Sequence, residues 1–181
     1  MKNANNTVQA ASQKGSKPSF WTFRHVLTSL TLLACVLVVM WMGAFLTSRY
    51  TSNRPFGDIE KAMVEQLDET VYPAQDHLAL KRYYNLDPDL FMHSSVYRKG
   101  DAMSASEMVL VQFDSPEAAE AFEKAMTERR DSQVDIFSGY AADQAALAKK
   151  AVVDVQGNYA LFYIGDNPNE IDERFLESLR G

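Results

Sequence analysis

The chain has 181 residues, with 24 acidic against 18 basic side chains and a net charge of −6, a length that suits about one domain with short extras. Lys2, Lys14, Lys17 and Arg24 precede a long apolar run and every acidic residue follows it, which leaves 14 basic against 24 acidic residues beyond the run, a net charge of −10. That sign argues against a phosphate-binding surface and against attraction to anionic lipid, so nucleic acid is not an expected partner.

Residues 1–24 are rich in Asn, Gln, Ser and Lys and carry no hydrophobic periodicity, the pattern of a disordered tail. From Val26 to Leu46 the chain reads VLTSLTLLACVLVVMWMGAFL, without charge or proline. A helix of about 21 residues rises about 31 Å, the thickness of a bilayer's hydrocarbon core. Trp21 and Phe23 flank one side and Trp41 and Tyr50 the other, as interfacial aromatics do. Residues 25–47 are therefore expected to form a single transmembrane anchor. The basic residues before it put the N-terminus in the cytoplasm and the rest outside the cell membrane.

Three rivals to the anchor are weaker. A buried core helix is shorter and one-sided. A cleaved signal peptide has a shorter apolar region and a small-residue cleavage site, whereas Thr47-Ser48-Arg49 follows here. Leu32-Leu33-Ala34-Cys35 resembles a lipobox, but eleven more apolar residues follow the cysteine where a polar tether belongs. Cys35 is the sole cysteine, so the acidic part has no thiol for a disulfide and relies on its core.

After a linker at 48–55, residues 56–181 are expected to form one extracytoplasmic domain. Ile59, Met63, Leu67 and Val71 recur at helical spacing behind Asp58, an expected N-cap. A short helix over about 76–84 leads into the turn Asn85-Leu86-Asp87-Pro88. Leu90 to Arg98 and Glu107 to Phe113 pair as a hairpin. Ser115 then caps a long helix with Pro116 at its first position and Glu117 and Glu120 at its positive end, running to about Phe137. A short helix over 143–149 follows. Val152 to Val155 and Tyr159 to Ile164 flank the tight turn Gln156-Gly157-Asn158. Asn167 or Asn169 caps a last helix with Ile171, Phe175 and Leu179 on one side. The expected fold is α+β, an antiparallel sheet of about four strands with helices mainly on one face, preceded by one transmembrane helix.

Chemistry is sparse. His77 and His93 have no partner at a metal-ligand spacing, and His93 beside Ser94 and Ser95 reads as a half-exposed strand residue. Residues 166–173 are dense in oxygen ligands, but Pro168 and Ile171 stand where a calcium loop wants Asp or Asn and Gly, so an acidic helix start explains them better. No cofactor and no metal are expected. Arg129, Arg130, Gln133 and Tyr140, with Gln144, form the one candidate ligand-binding set: Arg and Gln can hold a carboxylate or amide beside a tyrosine wall. The structural alternative has an arginine satisfying a backbone end while Tyr140 packs on the sheet.

The stretches EMVLVQFDSPEAAEAF, ERRDSQVDIFSGYAADQAAL and AVVDVQGNYALFYIGDN, with ALKRYYNLDPDL before them, resemble the bacterial family called domain of unknown function 4358. The resemblance spans about residues 58–166, with Arg130, Gln133, Phe137, Tyr140, Gln144 and Gly157-Asn158-Tyr159 its most specific pieces. It implies one N-terminal membrane segment or lipoprotein signal followed by a single small domain, mostly in Gram-positive bacteria. It implies no activity and no catalytic residue. The expected function is a non-enzymatic, membrane-tethered interaction or accessory module of the bacterial envelope, with an envelope protein as partner. The alternatives are a small-ligand-binding or sensory module and, behind it, an envelope hydrolase.

Overall fold

In the computed structural model the described residues are 32–38, 51–65, 67–68 and 70–180. Most of the expected anchor and all of the N-terminal tail lie outside them. Residues 32–38 are helical, and among the described residues no helix is long and apolar enough to cross a membrane. The chain divides into two compact units, Met1–Thr47 and Ser48–Gly181.

The second unit runs α1 (Phe56–Val64), α2 (Ala79–Tyr84), a 3-10 turn (Pro88–Leu90), β1 (His93–Arg98), β2 (Glu107–Gln112), α3 (Pro116–Ser138), α4 (Ala142–Lys149), β3 (Val152–Gln156), β4 (Tyr159–Ile164) and α5 (Pro168–Arg180). The four strands form one antiparallel sheet in the order β1-β2-β4-β3. The α+β class and both hairpins are as expected.

The helices do not gather on one face. Met108 and Leu110 of β2 with Tyr159, Leu161 and Tyr163 of β4 pack under α1 and α5, through Ile59, Met63, Ile171, Phe175 and Leu179. Val109 and Val111 with Ala160, Phe162 and Ile164 pack on the other side against α2, α3 and α4, through Leu80, Tyr84, Phe122, Met126, Phe137 and Ala148. The expectation of a largely one-sided sheet is corrected. Its physical reason lies in the inner strands, which are apolar at consecutive positions and so hide both faces. Every residue of β4 is buried.

Local chemistry explains most element ends. Ser115 Oγ accepts from Ala118 N–H at 3.2 Å, with Pro116 opening α3. Gly157 takes the positive φ of 59° that the β3–β4 turn requires. Two ends differ from expectation. Asp58 lies in the first turn of α1, which Pro55 precedes without a side-chain cap. The helix stops at Val64, well before Val71, because Asp68 Oδ1 takes the N–H and hydroxyl of Thr70, at 2.9 and 2.6 Å, in a local turn that competes with helix. Leu67 still packs on the α1 face, so the apolar period outlasts the helix.

The second half of the expected linker is docked. Ser52 N–H donates to Asn158 Oδ1 at 3.0 Å, and Asn158 Nδ2 donates back to the Ser52 carbonyl at 3.1 Å. Ser52 Oγ donates to the Leu179 carbonyl at 2.8 Å, and Tyr159 Oη to the Arg54 carbonyl at 2.7 Å. Ser52 is 2% exposed, so within this clasp its bond to the end of α5 is closed to water, while the bonds to Asn158 and Arg54 are half-buried.

One contact between α5 and β3 works against the fold. Burial, and after it the charge of Asp154 and a hydrogen bond with it, push the Asp172 carboxyl up to about 6, with Glu173 adding in the same direction. Its Oδ1 is buried without a hydrogen-bond partner among the described residues, while Asp154 Oδ1 accepts from Gln156 Nε2 at 2.8 Å. The folded state holds this proton more tightly than the unfolded chain, so the group's contribution falls as pH rises from about 4 through 6. Asp172→Asn should therefore stabilise the protein at pH 7.5 by on the order of 1 kcal/mol, discounted for partial exposure, and by much less at pH 4.5. Urea denaturation at the two pH values checks this; an equal effect at both would refute the assignment.

Candidate functional site

The strongest polar constellation is built around a carboxylate inside the core. Glu107 opens β2 on the same face as Val109 and Val111, and it is 1% exposed. A buried carboxylate must be paired. Arg129 of α3 donates from Nε to Oε1 at 2.7 Å and from Nη2 to Oε2 at 3.0 Å, a two-pronged grip. Arg98, directly across the β1–β2 ladder, donates from Nε to Oε2 at 3.0 Å. The Tyr84 hydroxyl, at the end of α2, donates to the same oxygen at 3.1 Å. With its carboxamide oxygen turned towards Arg129, Gln133 accepts from Nη1 and Nη2 at 3.0 and 3.1 Å.

Aromatic faces close the cluster. The Arg98 guanidinium lies 4.0 Å from the centre of the Tyr83 ring, and that of Arg129 5.5 Å from the Tyr84 ring. Burial, reinforced by the charge of Glu107, raises the Tyr84 hydroxyl well above the usual tyrosine range, so it stays a proton donor. Burial works against the Arg129 charge, but its hydrogen bonds to Glu107 and the carboxylate's charge raise its pKa. Two guanidiniums against one carboxylate leave the cluster with a net charge of +1 in an acidic domain.

The structure brings together two of the four candidate ligand-binding residues. Arg129 and Gln133 meet in the cluster, but their polar atoms face Glu107 and each other. Arg130 points elsewhere and donates to Asp131 at 2.9 Å. Tyr140 is 57% exposed, its ring 5.5 Å from that of Phe137. Gln144 Oε1 accepts from Ala105 N–H at 3.0 Å and so holds the β1–β2 loop to α4. A depression of about 800 Å³, lined by Leu147, Lys150 and residues 165–170, includes none of these five.

Glu107, Arg98 and Tyr84 escaped the sequence reading, although a signal was present. Alternation along EMVLVQF puts Glu107 on the face of Val109 and Val111, and an acid in that register needs a cation opposite it. His77 and His93 are exposed, and His93 stacks on Phe56 at 5.3 Å. A smaller polar group lies on the other face, where Glu60 of α1 accepts from the hydroxyls of Ser95 and Tyr97. Among the described residues no three His, Cys, Asp or Glu side chains converge as metal ligands.

The fold is thus a helix-covered antiparallel sheet with a buried Arg–Glu–Arg cluster at one end. The family model described as "Domain of unknown function (DUF4358)" matches residues 59–165, more than half of the chain. The chain belongs to that family. Neither the curated proteins nor the solved structures give a match to it.

Removing one partner of a buried pair costs more than the pair contributes. Arg129→Ala should lower stability by about 3–5 kcal/mol, because Glu107 then keeps the partly exposed Arg98 as its one cation, with the neutral Tyr84 hydroxyl beside it. Adding Glu107→Leu to that variant should recover part of the loss. Chemical denaturation of the single and double variants tests this, and simple additivity of the two losses would contradict it.

Proposed function

We propose that this chain is a single-pass membrane protein of the bacterial envelope whose acidic outer domain is a non-enzymatic interaction module. The apolar run Val26–Leu46, the basic residues before it and the acidic domain after it support the tether and its direction. One observation carries the interaction reading. The guanidinium best suited to grip a ligand, that of Arg129, is taken up by Glu107, while large apolar side chains nearby in sequence stand in solvent. Ile136 is 49% exposed and Tyr140 57%, on the last turn of α3 and just beyond it. Apolar and aromatic groups held on a rigid helix end suit a protein partner's surface, where tyrosine is a frequent anchor.

The second reading, a module that senses a small anion, draws on the unbalanced positive charge of the Arg98–Glu107–Arg129 cluster. A thermal shift by small carboxylates that is lost in Arg98→Gln would favour it over the first.

The decisive experiment is cross-linking of the tagged full-length protein in its native membranes, followed by mass spectrometry. The expected result is a reproducible envelope protein that disappears when Ile136 and Tyr140 are both changed to Ser, and persists when the exposed Lys124 is changed. Recovery of the same proteins after deletion of the outer domain, or of none at all, would sink the interaction reading.

A further inference from the structure

The sheet has two edge strands, and they are treated differently. Along β1, Gln75 N–H donates to the Val96 carbonyl at 2.8 Å and Ala74 forms a bridge with Tyr97, so the segment before α2 covers part of that edge. Among the described residues β3 has no such neighbour. All five of its residues stay partly exposed, whereas every residue of the adjacent β4 is buried. Gln156 and Tyr159 close a two-residue turn and are therefore a hydrogen-bonded pair, and bonded pairs alternate along an antiparallel ladder. Val152 and Asp154 thus also bond to β4, which leaves the N–H and carbonyl groups of Val153 and Val155 pointing outwards. Among the described residues nothing pairs with those groups.

Exposed edges are ordinarily blunted by a proline, a lysine, a bulge or a covering segment. Val152-Val153-Asp154-Val155-Gln156 has neither proline nor lysine and pairs with β4 without a bulge. What it carries is an unbalanced negative charge. Val152 packs in the cluster under α5, so strand alternation puts Asp154 and Gln156 on that same face. Asp154 there meets Asp172 of α5, whose buried Oδ1 has no hydrogen-bond partner among the described residues. Two residues along, about 7 Å away, Gln156 borders a groove of about 370 Å³ with Leu176, Leu179 and Arg180. The edge therefore lacks a cation at Asp154 and offers an apolar floor beside Arg180.

We propose that β3 takes up an added antiparallel strand from a partner protein, with a lysine or arginine opposite Asp154 and an apolar side chain, two residues earlier, over the groove at Gln156. Backbone pairing with Val153 and Val155 supplies affinity, and the two alternate side chains supply selection. A second copy of β3 is a poor occupant, since the register that overlaps both strands fully sets Asp154 opposite its own copy. The proposal uses neither Ile136 and Tyr140 nor the anchor, so its failure would leave those readings untouched.

The test uses the full-length protein in detergent micelles and the fluorescein-labelled synthetic peptide TVLTKVT, whose leucine and lysine match that spacing. Saturable binding is expected by fluorescence anisotropy, with exchange of the Val153 and Val155 amide hydrogens slowed several-fold. Replacing the peptide's lysine with glutamate should weaken binding about ten-fold. N-methylation of its fourth and sixth residues leaves its charge unchanged but removes the N–H groups that would face β3, and should also cost about ten-fold. Asp172→Asn, expected above to stabilise the fold, should retain binding and narrow the preference for lysine over glutamate. Equal binding of the methylated peptide, or unchanged exchange at Val153 and Val155, would overturn strand addition, because the attraction would then be charge alone. Absence of saturable binding up to millimolar peptide would also overturn it. So would a dimer in sedimentation whose Val153 and Val155 amides are protected without peptide, the edge then being held by a second copy.

Discussion

The fold of the α+β domain is organised around a single buried carboxylate. Glu107 lies where β2 begins, inside an apolar layer in which an unpaired charge is intolerable. Satisfying it needs Arg98 from the neighbouring strand, Arg129 from α3 and Tyr84 from α2. The cluster thus ties α3 and α2 to the β1–β2 hairpin at one point. Buried ion pairs are weak sources of net stability, and their best use is to disfavour alternative packings. The apolar clusters on the two faces supply the drive for folding; Glu107 selects how the pieces meet.

Much of this was legible because local chemistry and long-range packing agree. Ser115-Pro116-Glu117 specifies a helix start by itself, and Gly157-Asn158 between two apolar runs specifies a hairpin. Asp68 and Thr70 illustrate the opposite case, where a side-chain turn overrides an apolar period that continues through Leu67. The layering was misjudged for a different reason. Five of the six residues in EMVLVQ and all six in YALFYI are buried, and such runs contain no polar face to expose. Their continuity is the mark of a sheet covered on both sides.

The candidate site was half legible. Gln133 lies one helical turn beyond Arg129, so spacing alone puts them on one stripe of α3. Arg130 is one residue on, turned by about 100° to another stripe, and Tyr140 lies beyond the end of the helix. The missing half came from α2, β1 and β2, whose residues meet those of α3 only in the folded domain, Arg98 and Glu107 through strand register. A cation and an acid facing each other across a hairpin become visible once Arg98 is aligned with Glu107.

The clasp at Ser52 has a practical corollary. Because the Ser52 hydroxyl bonds the Leu179 carbonyl, Ser52 and the C-terminal end of α5 share one corner of the domain. A reporter or affinity tag joined at the C-terminal side of α5 would therefore start beside the β3–β4 turn, and the end of the sheet that carries Glu107 would stay bare. Segments appended there could shield that corner without reaching a partner bound at the opposite end. Labels meant to report on such a partner belong in the β1–β2 loop, on the far side of the sheet.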